Sequence, residues 1–280
     1  MCQYCHLYLK NENSPTLEQE LDYFVKDSQF SQVVVALSGG KDSLTTLFLA
    51  VKMGLTPRCL MYQNGFIPAE IVERSRQHCA DLNVPLDIVE IPLYETFLQE
   101  YEVTPTKVEA RTGADFCKSC SKHLDGIARA YMKQHQAHWL LFGNKTYATL
   151  SPYLSAMQRH ISDAEHAYYS VNFLYLLKVT ATQQKEILNA MNWQDPGLTG
   201  YTSNCLIPGF VHQARQEKLG FHPEQSYIAM EKRSGSYTQS QAEAVLASTQ
   251  PEASTYPATE IKAYYQKQGW PWPKNPQKEV

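Results

Sequence analysis

Two groups of residues have the types and spacing to do chemistry. The first is the run Ser38-Gly39-Gly40-Lys41-Asp42-Ser43, which follows the apolar, β-branched stretch Gln32-Val33-Val34-Val35-Ala36-Leu37. A strand that passes through paired glycines into a helix turns several backbone N–H groups toward one point, and the helix start adds partial positive charge. Lys41 supplies a full charge, while Ser38 and Ser43 supply hydroxyls, so the run is suited to an anion such as a phosphate. Asp42 makes sense beside a phosphate if it orients Mg2+ or a neighbouring donor, which favours a cation in the site.

The second group is cysteine. The chain holds seven, an odd number, with two pairs at Cys-x-x-Cys spacing: Cys2/Cys5, followed by His6, and Cys117/Cys120. That usage fits metal or redox work in a reducing compartment better than a disulfide framework. A Cys-x-x-Cys pair supplies two ligands where zinc or an iron–sulfur cluster takes three or four, and Cys205 is the natural third. Cys117 and Cys120 are expected just before a helix whose start would stabilise their thiolates. A cluster or persulfide site, a structural Zn2+ site and unrelated buried thiols all stay open for the three. Cys59 and Cys79 read as buried core thiols, and Cys2, Cys5 and His6 as part of a zinc knuckle or a fraying end.

The elements that must position these groups follow from periodicity. Leu17, Leu21 and Phe24 recur at helical spacing in a lead-in helix after Pro15. A helix is expected over 43–53, with Leu44, Leu47, Phe48 and Val51 on one face and Gly54 as its stop. Strands are expected over 57–62, 85–91 and 138–143, with helices over 69–82 and 124–136. This is the βαβ rhythm of an α/β, doubly wound parallel sheet, in which ligands sit at the carboxyl ends of the strands. Gly39-Gly40 and Gly143-Asn144 then share a rim. Beyond about residue 151 the pattern turns helical and aromatic with no clear strands. The expected division is a cysteine-containing lead-in over 1–28, a nucleotide-binding domain over 29–150, and a mainly helical substrate-side region with a C-terminal strap over 151–280.

Composition narrows the function classes. At 280 residues, 43% hydrophobic and 19% charged, the chain can bury a sizeable core and is not expected to be disordered. No apolar run approaches the roughly 18 to 20 residues that span a bilayer, and the start lacks a secretory layout, so a cytoplasmic address and no membrane partner are expected. The formal net charge of −3 carries none of the global basic excess of proteins that grip long nucleic acids.

The Ser-Gly-Gly-Lys-Asp-Ser run resembles the signature of the PP-loop ATP pyrophosphatases, which split ATP into AMP and pyrophosphate while adenylating a carbonyl oxygen. The resemblance implies a PP-loop fold with a helical C-terminal part, ATP with Mg2+ as cofactors, and a nucleotide held by Ala36 to Ser43. It implies further contacts from Tyr62 and Asn64 on the adenine and ribose side and from Gly143 and Asn144 on a second loop. The cysteine arrangement is similar to that of PP-loop tRNA thiolation enzymes, in which three cysteines hold a [4Fe-4S] cluster with one iron free for sulfide. Carried over, the metal ligands would be Cys117, Cys120 and Cys205, and the catalytic set these three with Lys41 and Asp42. The implied activity is an ATP-dependent sulfurtransferase acting on a nucleobase-like small molecule or a tRNA base, with a sulfur donor protein or sulfide as partner and a homodimer left open.

A second likeness points to nitrogen. Gln63-Asn64-Gly65-Phe66-Ile67, Ser203-Asn204-Cys205, His212, Gly220-Phe221, Arg233, Gly235 and Thr238 look like the PP-loop N-acetyl sugar amidotransferases, in which ammonia is the nucleophile. A non-catalytic nucleotide-binding protein is the third reading. Scattered basic residues, among them Arg111, Lys118, Lys122, Arg129, Lys145 and Arg159, are candidates to line a substrate or phosphate channel but read mainly as solvated surface. His160 and His166 are candidates for proton transfer.

Overall fold

The computed structural model describes residues 16–91, 93, 114–146, 155–162, 166–195, 204–205, 207–208, 220 and 225–248. Cys2, Cys5, His6, Arg111, Ser203, His212, Phe221 and the aromatic tail lie outside them. The described elements are α1 (Leu17–Ser28), β1 (Val33–Leu37), α2 (Lys41–Lys52), β2 (Arg58–Gln63), α3 (Ala69–Asp81), β3 (Leu86–Glu90), α4 (Ala114–Gln134) and β4 (Trp139–Phe142). Then come β5 (Met157–Ile161), β6 (Ala167–Asn172), α5 (Phe173–Leu176), α6 (Ala181–Ala190), α7 (Gln225–Arg233) and α8 (Gln239–Ser248).

The sheet runs β3-β2-β1-β4-β6-β5, parallel throughout except for β5, which pairs antiparallel with β6. This is the expected doubly wound arrangement, and β1 lies inside it with both faces covered. Val33, Val35 and Leu37 pack with Phe24, Leu44, Leu47, Trp139 and Phe173 on one face, while Val34 packs with Ala128, Met132 and Leu140 on the other. Helices α1, α2 and α5 therefore cover one face and α4 the opposite one. A parallel βαβ rhythm with helices on both faces puts the loop after β1 at the sheet's carboxyl rim.

Two expectations need correction. The stretch beyond residue 151 does contain strands: β5 and β6 complete the sheet. Their pattern hid them, because β5 is a polar edge strand, Met157-Gln158-Arg159-His160-Ile161, and the β6 aromatics Tyr168 and Tyr169 look like helix-packing residues when read alone. Helix α4 also begins ten residues before the expected Leu124, so Cys117 and Cys120 lie within it rather than ahead of it.

The lead-in helix is a structural part of the domain. Thr16 and Gln19 form a reciprocal capping box at its start. Phe24 meets the Trp139 ring edge-on at 5.0 Å, and Trp139 Nε1 donates to Asp27 Oδ2 at 2.7 Å. Glu20 is buried; it accepts the Ser155 hydroxyl and, at 2.9 Å, the Ala156 N–H, which ties α1 to the entry of β5.

Candidate active site at the carboxyl rim

The loop from Ser38 to Gly40 is held by its own side chains. Ser43 Oγ accepts from Ser38 N at 3.1 Å, lies 3.1 Å from Ser38 Oγ, and donates to Gly40 O at 3.0 Å. Gly39 has φ of +78°, and a Cβ there would lie 2.6 Å from Ile71 Cγ2, so this position needs glycine for both conformation and space. Gly40 is the N-cap of α2 and supplies no side-chain cap, so the N–H groups of the first turn face outward without one. A twelve-residue helix with a glycine-led start and no side-chain cap has the backbone geometry that suits an anion. Leu37 turns into the core on one face of the sheet and Ala36 packs against the cluster on the other, so these two residues can offer a ligand only their backbone.

Gly143 sits against this loop. A Cβ at Gly143 would come within 2.6 Å of the Asp42 carbonyl carbon and 2.8 Å of Ser43 N, which places the two glycine turns side by side as expected. Asn144 does not reach out freely: its amide donates to Asn172 Oδ1 at 3.0 Å, and its carbonyl accepts from Tyr175 N.

Asp42 is the electrostatic centre. Lys41 Nζ lies 3.1 Å from Oδ2, Lys145 Nζ 3.6 Å from Oδ1, and Gln184 Nε2 donates to Oδ1 at 2.7 Å. Burial by itself would raise the Asp42 pKa, but the two ammonium groups and the Gln184 amide outweigh it and hold the carboxyl at about 2. Asp42 thus has a second ammonium partner in Lys145. That side chain is only 1% exposed and also pairs with Glu231 Oε2 at 3.3 Å. Burial would lower its pKa, but Asp42 and Glu231 raise it above the ordinary lysine range, so the ammonium stays charged. Nothing in the sequence singles out Gln184, Glu231 and Tyr237 of this network; Lys145 stands there at the end of the second loop, Gly143-Asn144-Lys145, and among the scattered cations. No local pattern joins residues so far apart.

The cysteines meet on the neighbouring strand. Met61 pairs with Leu37, so Tyr62 and Asn64 follow at the same rim as the loop. Asn64 Nδ2 donates to Cys120 Sγ at 3.5 Å and to Cys205 Sγ at 3.7 Å, while its Oδ1 accepts from Phe66 N at 2.8 Å. One amide therefore joins thiols that come from α4 and from a segment 85 positions further on (205 − 120). The Tyr62 hydroxyl is buried beside the same sulfurs with no well-aligned partner; burial first, then the thiols, push its pKa up. The side chains of Tyr62 and Asn64, expected on the adenine side, are thus turned to the thiols.

The expected thiolate stabilisation at Cys120 is also corrected. Burial raises its pKa, and the Asn64 amide and the nearby Tyr62 hydroxyl offset this only in part, so the expected stabilisation of a thiolate is not found there. Cys117 lies one turn earlier on the same helix. Among the described residues no group of three or more His, Cys, Asp or Glu side chains is placed to hold a metal ion. Of the three cysteines, Cys120 and Cys205 bring their thiols to the Asn64 amide.

His160 and His166 are occupied elsewhere. His160 Nε2 lies 2.7 Å from Ser170 Oγ, and its ring stacks on Tyr168; His166 Nε2 lies 3.1 Å from Ala137 O, on the rim opposite the loop. Among the described residues no helix is long and apolar enough to cross a membrane.

The self-braced Ser-Gly-Gly-Lys-Asp-Ser turn is set between an inner strand of a doubly wound sheet and a helix without a side-chain cap, an arrangement that resembles that of the PP-loop ATP pyrophosphatases. No family model matches the chain. An uncharacterized protein of Methanocaldococcus jannaschii is 25% identical over 214 residues, which cover 76% of this chain and 71% of that protein. A 7-cyano-7-deazaguanine synthase of Psychromonas ingrahamii is 30% identical over 82 residues, 29% of this chain and 37% of the synthase. Among solved structures, NMN synthetase from Francisella tularensis superposes with a TM-score of 0.44 at 15% identity, covering 83% of this chain and 92% of that one. The U34-tRNA thiolase NcsA of Methanococcus maripaludis, with its [4Fe-4S] cluster, gives 0.42 at 13% identity over 92% of this chain and 90% of that one. Both superpositions are loose and do not bear on what this chain binds.

Proposed function

We propose that the protein is an ATP-dependent sulfurtransferase: it adenylates a carbonyl oxygen, releases pyrophosphate, and replaces that oxygen with sulfur delivered at the Cys120/Cys205 pair. The observation that carries this reading is the Asn64 amide shared by two thiols, just past the end of the strand next to the glycine loop. AMP transfer turns a poor oxygen leaving group into a good one, so activation and substitution belong on one rim.

In this reading the N–H groups at the start of α2 and the Lys41 ammonium hold the pyrophosphate as charge develops on it, the main electrostatic contribution to rate. Mg2+ would arrive on the polyphosphate, since both Asp42 oxygens already have partners. Asn64 and Tyr62 supply hydrogen-bond donors for a sulfur atom carried at the thiol pair. The thiols differ in setting: Cys205 packs against the apolar cluster of Met61, Ile67 and Ile71, whereas Cys120 sits on a helix face. A nucleobase-like carbonyl, free or in tRNA, is the proposed substrate class, with a persulfide-bearing donor protein as the source: its sulfane sulfur passes to one thiol of the pair in exchange for the donor's thiol, attacks the adenylated carbon as AMP leaves, and is released when the second thiol forms a disulfide with the first, which an external thiol then reduces. Sulfide as the source would instead attack the adenylated carbon directly beside the pair, expelling AMP without being loaded on either cysteine.

A [4Fe-4S] or Zn2+ centre on Cys117, Cys120 and Cys205 is tested directly by metal and acid-labile sulfide analysis of anaerobically purified protein. No step above depends on it. The reading as a whole is tested by supplying ATP with labelled sulfide or with ammonia over a panel of nucleobase and acetamido-sugar substrates. Label in the product together with AMP supports sulfur transfer. AMP formed only with ammonia replaces it by amidation, and no pyrophosphate release from any substrate leaves a nucleotide-binding protein without turnover.

A further inference from the structure

Asp42 poses a problem for any polyphosphate. It is the second residue of α2, and its negative charge stands where an incoming anion must settle. Two cations share it. Lys41 Nζ lies 3.1 Å from Oδ2 and Lys145 Nζ 3.6 Å from Oδ1, but the two differ in freedom: the Lys41 side chain is 24% exposed and that of Lys145 only 1%. Lys41 is thus the more exposed of the two, whereas Lys145 is enclosed.

Lys145 is also gripped from several sides. Its Nζ lies 3.3 Å from Glu231 Oε2, donates to Gln184 Oε1 at 3.2 Å, and sits 5.1 Å from the centre of the Tyr237 ring. Its backbone carbonyl accepts from Ser234 Oγ at 2.7 Å. Gln184 closes the circuit by donating its other end to Asp42 Oδ1. Helix α6 and the end of α7 thus fix one ammonium behind the phosphate loop.

We infer that Lys145, held by Glu231 and Gln184, is a positioning residue that neutralises Asp42 from behind and so frees Lys41 to hold the phosphate. This rests on the nucleotide reading above. The four charges, Lys41, Lys145, Asp42 and Glu231, balance before a ligand arrives. When an anion draws Lys41 away, Asp42 keeps Lys145 and the Gln184 amide, so the carboxylate does not repel its neighbour. Without Lys145 the same carboxylate would hold Lys41 back.

The test is calorimetric titration of the full chain with inorganic pyrophosphate at neutral pH, in a cycle of variants whose coupling isolates the charge effect. E231Q removes the second carboxylate and is expected to bind within about threefold of wild type. Adding K145Q should then weaken binding by about tenfold or more, because Asp42 is left to Lys41. Adding D42N as well should restore affinity to within about threefold.

Equal binding by E231Q and E231Q/K145Q would overturn the inference. So would a failure of D42N to restore binding, which would make Lys145 a direct phosphate ligand or a prop of the fold. Wild-type protein that binds neither pyrophosphate nor ATP would sink the nucleotide reading itself, an outcome distinct from the others.

Discussion

The phosphate loop and the cysteine corner share a rim but are built differently. The loop is local: its glycines, serines and helix start lie within six consecutive residues, and most of its hydrogen bonds close within that span. The corner is assembled from β2, α4 and the segment at Cys205, joined by one asparagine amide. A local site is fixed once the strand and helix form, whereas a composite one depends on the packing of three elements. The first should therefore tolerate changes at the second, while the corner should fail by single substitutions that leave nucleotide binding alone.

The largest effect expected from that asymmetry is at the thiols. C120A and C205A should each cut sulfur-containing product by on the order of a thousandfold or more, as loss of a group that acts as a unit does, with ATP affinity kept within about threefold. Product from both variants at wild-type rates would remove the corner from the chemistry. Next comes K41A, expected to lower turnover by roughly two to four powers of ten, about 3 to 5 kcal/mol, through lost stabilisation of the pyrophosphate. Near-normal turnover would end its assigned role.

Smaller still is G143A. The new Cβ meets backbone atoms of Asp42 and Ser43, which cannot rotate away. Overpacking of this kind costs about 1 to 3 kcal/mol, to be read both as a lowered Tm and as weaker pyrophosphate binding. Unchanged values would show that the two glycine turns are not tightly apposed. The smallest effect is in acid. The folded Asp42 pKa of about 2 lies below the ordinary value of 3.8, so its stabilising contribution is full above about pH 4 and fades as pH falls toward 2. D42N should flatten that acid limb by less than about 1 kcal/mol, given the screening of a side chain that is about a third exposed.

The sequence made the loop region legible because its signals agree with one another. Val33 to Leu37 form a doubly buried strand, the glycines follow at once, and Leu44 and Leu47 mark a helix face. Cys120 and Cys205 could be paired by type, but nothing local said that Asn64 would join them. Strand β5 escaped notice because an edge strand has one side open and can be polar, and β6 because tyrosines pack in helices and sheets alike. The start of α4 was placed too late, since the apolar periodicity sets in only around Leu124. The Lys145 network stayed hidden for a more basic reason: a buried ion pair leaves no periodic trace, and Glu231 and Gln184 look like the surface residues beside them.

The most direct measurement is calorimetric titration of the wild-type chain and of K41A with ATP and Mg2+. A saturable one-to-one binding heat in the wild type that weakens by tenfold or more in K41A is the predicted result. An absence of saturable heat in the wild type, or equal affinity in the two proteins, would contradict the assignment of this loop to a nucleotide's phosphates.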